Sequence, residues 1–290
     1  MCEGTGGNTG VGLALVAAAK GYAAVMAMPS TIAREKIEGM KLLGARVVLC
    51  PGVPFTDPRH YFHRAAAIAA QTDNAIFTNQ FENIANMRCH REGTAPEIWR
   101  QAGGKVDGFV CAAGTGGTIA GCSAFLKAVN PAVQCWIIDP PGSALFDFVT
   151  RRLRGEDTRE EAATPVGVPT RFIPRSDGGS VTEGIGIGRV TANFSNAVLD
   201  GAFAGTDREA IEMAYHLKQH DGVFVGPSAA LNCVGAVKLA RKLGPGHTVV
   251  TVLCDGGDRY RSKMYTTSWL QEKGLEPRAS GGFGNVDFVK

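Results

Sequence analysis

The chain has 290 residues, enough for one large or two medium-sized domains, and its 44% hydrophobic and 20% charged residues are typical of a globular protein with a substantial core. Its 30 basic and 27 acidic residues give a net charge of only +3, which argues against a nucleic-acid-binding protein. The longest apolar run near the start, residues 11–19, is too short to span a bilayer, so no membrane span is expected.

The first part of the chain alternates between helical and strand-like patterns. Helices are predicted over residues 11–20, 31–43, 58–71 and 84–101, and strands over 23–28, 46–49 and 75–78. The second part continues in the same way, with strands over 108–111, 134–138, 223–225 and 247–253 and helices over 119–128, 206–220 and 229–243. This alternation predicts parallel βαβ units and an α/β fold. Residues 151–179 are expected to form a surface excursion, and the tail after Gly274 is expected to be loosely ordered.

The eight cysteines do not form a metal or disulfide framework. No pair has the CxxC spacing of a zinc site, and several lie in strand-like runs. We therefore expect buried free thiols and no metal site.

The strongest local motif is "VCAAGTGGTIAG", residues 110–121, in which an apolar strand leads through glycines into a helix. Such a loop turns several backbone N–H groups into one hollow at a helix N-terminus, where a phosphate dianion fits. No Lys-Ser or Lys-Thr follows the glycines, so a mononucleotide P-loop is excluded. Ile119 stands where a dinucleotide fingerprint needs glycine. A tight turn without a ligand is the alternative.

Two further loops also precede helices: residues 5–9 (TGGNT) before the first one and 226–230 (GPSAA) before a late one. Together with "TNQFENIANMRCHREGTAPEIW", "EGIGIG" and "GPGHTVVTVLCDGG", the set resembles the cysteine synthase (O-acetylserine sulfhydrylase) and cystathionine β-synthase family of fold-type II pyridoxal-phosphate (PLP) enzymes. The resemblance extends from Glu3 to about Leu275. It implies two three-layer α/β domains with mainly parallel sheets, a tryptophan synthase β-like fold, and PLP as cofactor.

The resemblance also implies a role for each matching residue. Asn8 would hydrogen-bond the 3′-oxygen of the pyridine ring, and Ser228 would face the ring nitrogen. The cofactor phosphate would be held by Gly114, Thr115, Gly116, Gly117 and Thr118. The substrate carboxylate would be held by Thr5, Gly6, Thr9 and Gln80.

Two of these positions have alternative interpretations, and a third departs from the family pattern. Considered alone, Ser228 is more typical of a helix N-cap, whereas for Asn8 a loop-stabilising Asx turn is equally plausible. Gly6 departs from the family, which usually has serine there, and this puts substrate preference in doubt. In its implied role, Ser228 would leave the pyridine nitrogen largely neutral, which weakens the ring as an electron sink and suits the loss of a good β leaving group.

A larger departure concerns the lysine of a Ser-x-Lys-x-Arg-like segment, which in this family forms a Schiff base with PLP. That segment lies ahead of the asparagine loop, and only Met1 and Cys2 precede Glu3 here. Each other lysine, including Lys20, Lys36 and Lys41, is expected to be a solvated surface residue. We therefore expect an N-terminally truncated chain without a catalytic residue, inactive as it stands and binding PLP non-covalently at best.

Three hypotheses follow. The first is an incomplete gene sequence of a working cysteine synthase-like enzyme of cysteine biosynthesis. The second is a real short protein that binds PLP or a partner without catalysis, and the third is the same fold with cystathionine β-synthase or serine dehydratase-like chemistry. The expected division is a smaller domain over residues 1–91, a larger one over 92–275, and a tail over 276–290. The resemblance also implies a homodimer or association with a full-length relative, an amino-acid substrate, and a cytoplasmic or mitochondrial location.

Overall fold

The computed structural model describes residues 1–156, 161–162, 170–172, 178–278 and 285–290. The chain divides into two compact units. Unit 1 comprises Met1–Asn83 and Glu161–Thr170, and unit 2 comprises Ile84–Glu160 and Arg171–Lys290. The division of function between residues 1–91, 92–275 and 276–290 stays a prediction.

Unit 1 has three layers, with one parallel β-sheet between two layers of helices. Its elements in chain order are β1 (Cys2–Gly4), α1 (Asn8–Lys20), β2 (Val25–Pro29), α2 (Arg34–Leu42), β3 (Arg46–Cys50) and α3 (Tyr61–Ala70). The three strands form a parallel sheet in the order β1-β2-β3. Successive residues of β2 point to opposite faces. Met26 and Met28 pack with α1 and α2, and Ala27 packs with Ala65 of α3.

Unit 2 carries most of the remaining elements. They are α4 (Ala85–Cys89), α5 (Ala95–Gln101), β4 (Gly108–Cys111), α6 (Gly117–Val129), β5 (Gln134–Asp139), α7 (Leu145–Leu153), β6 (Glu161–Ala162, within unit 1), β7 (Thr170–Phe172), β8 (Arg189–Val190), α8 (Ala192–Ser195), β9 (Gly201–Ala204), α9 (Asp207–His216), α10 (Pro227–Leu243), β10 (Val249–Val250) and α11 (Thr267–Lys273). π-Helical turns follow α4 and α9, at His90–Thr94 and Leu217–Asp221.

The main sheet of unit 2 is parallel and has the strand order β10-β4-β5-β9. Both of its faces are buried: Phe109 and Ile137 belong to one hydrophobic cluster, and their neighbours Val110 and Ile138 belong to another. This double burial is the physical reason why the strands read as unbroken apolar runs. The predicted three-layer α/β architecture with parallel sheets is confirmed.

Several predicted elements differ from those observed. Phe77 and Val225 form only isolated bridges, where strands were predicted over residues 75–78 and 223–225. The strand predicted over residues 247–253 is reduced to Val249–Val250. The helix predicted over residues 84–101 is interrupted by the π-helical turn His90–Thr94. In each case the apolar pattern is present, but tertiary contacts determine which backbone groups pair.

The predicted surface excursion and tail are described only in part. Residues 151–153 belong to α7, and residues 157–160, 163–169, 173–177 and 279–284 lie outside the described residues. The end of the chain packs on unit 2, in contrast to the loose tail that was expected. Val289 is buried, and its carbonyl accepts a hydrogen bond from Arg241 Nη1 at 2.6 Å. Among the described residues, no helix is long and apolar enough to cross a bilayer.

Candidate active site

The predicted site residues are distributed over both units. Thr5, Gly6, Asn8, Thr9 and Gln80 belong to unit 1, whereas Gly114–Thr118 and Ser228 belong to unit 2. Each group forms a local structure that depends on side chains from other parts of its own unit.

Thr5 shapes the loop at the start of α1. Its Oγ1 accepts hydrogen bonds from the backbone N–H groups of Gly7 at 3.0 Å and Gly10 at 3.2 Å, and the residue is only 1% exposed. Gly7, the N-cap, has no side chain that could cap α1, so Thr5 satisfies donors that the helix end leaves unpaired. Gly6, Asn8 and Thr9 remain half-buried. The loop therefore offers a polar ligand the groups of Gly6, Asn8 and Thr9 more readily than the Thr5 hydroxyl.

Gln80 lies beside this loop although it is far away in sequence. Its Nε2 donates to the carbonyl of Gly4 at 2.7 Å, and its backbone N–H donates to Glu3 Oε2 at 3.2 Å. Thr78 Oγ1 donates to the same carboxylate oxygen. Burial raises the pKa of Glu3, and these hydrogen bonds partly offset the rise. A buried carboxyl group on β1 thus fixes the segment that brings Gln80 to the loop.

Lys36 contradicts the expectation that it is a solvated lysine. It lies in the first turn of α2 and is only 2% exposed. A β-carbon built on Gly7 would lie 2.9 Å from Lys36 Cδ and 3.0 Å from its Nζ. The charged pattern of residues 34–41 predicts an exposed helix face, but packing against the loop buries this one side chain.

The predicted phosphate loop, residues 114–118, connects β4 to the N-terminus of α6 in unit 2. Thr115 is held from three directions: its Oγ1 accepts from Asn86 Nδ2 at 2.9 Å and from Gly117 N–H at 3.3 Å, and its carbonyl accepts from Thr191 Oγ1 at 2.6 Å. Because these partners come from three segments, contacts within unit 2 hold the loop in one conformation. The residues Asn86 and Thr191 were not predicted as part of this site.

The glycines of this loop are required by close contacts. Gly116 has φ of +85°, and a β-carbon on it would lie 2.5 Å from Cβ of Phe194. On Gly117 a β-carbon would lie 2.1 Å from Asn86 Oδ1. Both positions exclude any side chain, so neighbouring residues approach the backbone closely and the hollow at the N-terminus of the 13-residue helix α6 is kept.

His90 is a third neighbour of the loop that was not predicted from the sequence. Its Nε2 lies 3.2 Å from Thr118 Oγ1, and its Nδ1 lies 3.0 Å from Thr94 Oγ1. Burial lowers the pKa of His90, so the neutral imidazole is favoured, with one nitrogen donating and the other accepting. His90 lies in a π-helical turn, a structural feature often found at functional sites, but no pattern in the local sequence indicates its contact with Thr118.

Ser228 occupies the second position of α10 and is 3% exposed. The N-cap is Gly226, so the reading of Ser228 as a helix N-cap is wrong. Burial raises the pKa of the Cys254 thiol, and interaction with the Ser228 side chain partly offsets the rise. The same thiol accepts a hydrogen bond from Asn232 Nδ2 at 3.4 Å. Ser228 is thus an uncharged hydrogen-bonding group, supported by a thiol and a buried amide.

The topology places these elements of unit 2 at one edge of the sheet. The chain passes from β4 to β5 on one side, whereas β10 pairs with β4 on the other side. A parallel α/β sheet binds ligands at such a switch point, outside the carboxyl ends of its strands. The phosphate loop directly follows β4, and Cys254, the partner of Ser228, follows β10. The residues fit PLP, because a phosphate-binding loop and a neutral hydrogen-bonding group share this edge.

Known proteins share the sequence of this chain over most of its length. The family of pyridoxal-phosphate dependent enzymes matches residues 1–255. The chain is 44% identical over 290 residues to a cysteine synthase of Dictyostelium discoideum, covering 100% of this chain and 73% of that protein. It is 46% identical over 278 residues to cysteine synthase 1 of Neurospora crassa, covering 95% of this chain and 69% of that protein.

A solved structure shows the same fold. The O-acetylserine dependent cystathionine β-synthase of Helicobacter pylori has a TM-score of 0.76 and 30% identity, over 91% of this chain and 77% of that one. Together with the parallel α/β architecture, these similarities establish the family. The chain belongs to the pyridoxal-phosphate dependent enzymes of fold type II, it is cysteine synthase-like, and its cofactor is pyridoxal phosphate.

Proposed function

We propose that the protein serves cysteine synthesis, by exchanging the acetate group of O-acetylserine for sulfide to give cysteine and acetate. The observation that carries the proposal is the arrangement in unit 2, where a glycine loop held by Asn86 and Thr191 leads from β4 into α6, and the buried Ser228 stands at the start of α10. Relatives named cysteine synthase support the same reaction.

In unit 2, the chain's contribution is to hold the cofactor and to set the polarity around it. The backbone N–H groups of residues 114–118 would bind the phosphate, with Thr115 already fixed by Asn86. Ser228 would hydrogen-bond the ring nitrogen without protonating it. Bound PLP supplies an electron sink for the α-carbon of an amino acid, and a neutral partner keeps that sink moderate. Such an environment suits β-replacement of a good leaving group.

In unit 1, the loop that begins α1 would bind the substrate and the ring oxygen. Asn8 would donate to the 3′-oxygen of the ring, and Gly6 and Thr9 would offer donors to the substrate carboxylate at a helix N-terminus. The Thr5 hydroxyl would act mainly by shaping this loop. Gln80 would complete the subsite, held in place by its bonds to Gly4 and Glu3.

A second candidate reaction has a thiol amino acid as nucleophile in place of sulfide. Its support is the likeness to the Helicobacter pylori enzyme and a 34% identity over 276 residues to rabbit cystathionine β-synthase, covering 95% of this chain and 46% of that protein. Incubation of the chain with PLP, O-acetylserine and either sulfide or homocysteine separates the two reactions by their products.

We further propose that these 290 residues hold PLP without a covalent bond to lysine, act on their own at most weakly, and associate as a homodimer or with a full-length relative. A cytoplasmic or mitochondrial location is part of the same proposal. Borohydride reduction in the presence of PLP, followed by peptide mapping, tests the first point. A modified lysine together with sulfhydrylase activity would overturn it. Sedimentation analysis measures the association.

The cofactor site itself is tested by PLP retention. Gly116→Leu should abolish PLP retention, because the leucine side chain would collide with Phe194 and because Gly116 has a positive φ, which leucine rarely adopts. Gly93→Ala, in the same unit and with no atom within 4 Å of the new β-carbon, should retain PLP. Unchanged retention in Gly116→Leu, with the protein still folded, would count against the phosphate loop.

A further inference from the structure

Asn232 is a buried polar side chain to which the proposed function assigns no role. It lies on α10, one helical turn after Ser228, and is 1% exposed. Its Oδ1 accepts from the backbone N–H of Ala112 at 2.7 Å, and its Nδ2 donates to the carbonyl of Val252 at 2.7 Å. A buried amide that is bonded at both ends is costly to replace, since either loss leaves a backbone group unsatisfied.

The two partners of this amide lie just beyond neighbouring strands. Strands β4 and β10 pair through Gly108 with Val249 and through Phe109 with Val250. Beyond this point the two chain segments are joined by hydrogen bonds of side chains. Thr251 Oγ1 donates to the carbonyl of Val110 at 2.6 Å, and the Asn232 amide then connects Ala112 to Val252. An amide inserted between two chains holds them farther apart than a direct backbone hydrogen bond would.

The separated strand ends are the ones that carry the cofactor site of unit 2. Ala112 precedes Gly114, the first residue of the phosphate loop, by two positions. Val252 precedes Cys254 by two positions, and the Cys254 thiol accepts a hydrogen bond from Asn232 Nδ2 at 3.4 Å and interacts with the side chain of Ser228. The Asn232 amide therefore links the chain that enters the phosphate loop to the group that supports the serine.

We propose that Asn232 is a positioning residue for the cofactor: its side-chain amide sets the separation between the phosphate loop and Ser228 and thereby orients the bound pyridine ring. This inference rests on the proposed roles of Ser228 and the phosphate loop. In this proposal Asn232 and Cys254 help to place the pyridine ring, whereas binding of phosphate alone by the loop does not depend on them.

The experiment compares two probes, PLP and inorganic phosphate, on the 290-residue chain. The Asn232→Leu variant should weaken PLP binding about tenfold, as expected for the loss of a buried hydrogen-bonded bridge, and inorganic phosphate binding by less than about twofold. A purely structural role would weaken both probes equally, and that result would overturn the proposal. Ser123→Ala is the matched control, because this buried hydroxyl bonds to Val198 N–H and Ala120 away from the strand ends.

A double-mutant cycle links the amide to the serine. If Asn232 acts by placing the ring against Ser228, the effects of Asn232→Leu and Ser228→Ala on PLP affinity should be less than additive. Strict additivity would overturn the proposal. Should Asn232→Leu fail to fold, Cys254→Ala replaces it. Cys254 is exposed as a residue, so the fold should tolerate the change, and loss of the thiol should lower PLP affinity about threefold at unchanged phosphate affinity. Equal affinities of wild type and Cys254→Ala for PLP would then overturn it.

Failure of the proposed function has a different signature. In that case the wild-type chain would bind pyridoxal and PLP equally, because no phosphate site would exist. Normal phosphate-dependent binding by the wild type, with no effect of Asn232→Leu, overturns only the role of Asn232.

Discussion

The side chain of Lys36 lies directly against the α-carbon of Gly7, so that a β-carbon on Gly7 would be 3.0 Å from the ammonium nitrogen and 2.9 Å from Cδ. The first residue belongs to α2 and the second is the N-cap of α1. Contact between them buries a lysine that the charged helix pattern predicts to be solvated. The absence of a side chain at Gly7 is thus a packing requirement as well as a conformational one, since its φ is +149°.

Gly7→Ala should destabilise the protein by about 2 kcal/mol, because the new methyl group collides with Lys36 and the backbone conformation is unfavourable for alanine. Urea unfolding measures the change. Gly12→Ala, in the exposed middle of α1 with no atom within 4 Å, should instead stabilise by roughly 0.5–1 kcal/mol. Equal effects of the two substitutions would contradict the contact.

Gly117→Ala should weaken the binding of both PLP and inorganic phosphate by about tenfold or more. The new β-carbon would displace the Asn86 amide, which holds the Thr115 hydroxyl in the loop. Fluorescence titration measures PLP binding, and Gly93→Ala serves as the control within unit 2. A Gly117→Ala protein with wild-type affinity for both ligands would show that the loop does not depend on this contact.

Asp139→Asn should stabilise the protein at neutral pH but not in acid. Burial raises the pKa of Asp139 from 3.8 to about 6, and its Oδ1 has no hydrogen-bond partner. Below pH 3.8 the carboxyl is neutral in both states, whereas above about pH 6 the folded state bears the cost of a buried charge. The gain should be about 1–2 kcal/mol at pH 7.5, because the asparagine still accepts from Phe146 N–H. Unfolding at pH 4 and 7.5 checks the difference between the two values.

Thr206→Ala should cost about 1 kcal/mol of stability through the loss of a helix cap. The Thr206 hydroxyl accepts from Glu209 N–H at 3.1 Å, and the Glu209 carboxylate accepts from Thr206 N–H at 2.8 Å, forming a complete capping box for α9. Thr206→Ser keeps the hydroxyl and should remain within a few tenths of a kcal/mol of the wild type. Thermal unfolding of the three proteins provides the test.

Much of the fold could be predicted because its signals are local. Contiguous residues predict the strand over 108–111 and the glycine loop and helix that follow it. The structure confirms both the strand and the passage into the helix. The shortened strand β10 was not predictable in the same way. Its apolar pattern continues to Leu253, but the pairing ends early because the side chains of Thr251 and Asn232 make the hydrogen bonds.

The sequence by itself determined the α/β class and the passage from β4 through glycines into α6, because apolar runs, glycines and helix starts are local signals. Its ordered motifs were also enough to indicate the enzyme family, whereas the phosphate-binding role of residues 114–118 and the role of Ser228 stay predictions. Only the tertiary structure showed that Gln80 contacts Gly4, that His90 contacts Thr118, and that Asn232 joins Ala112 to Val252. These pairs lie far apart along the chain, and no local pattern specifies which distant partner satisfies a buried polar group. Tertiary packing determines these partners, and it also buries Lys36.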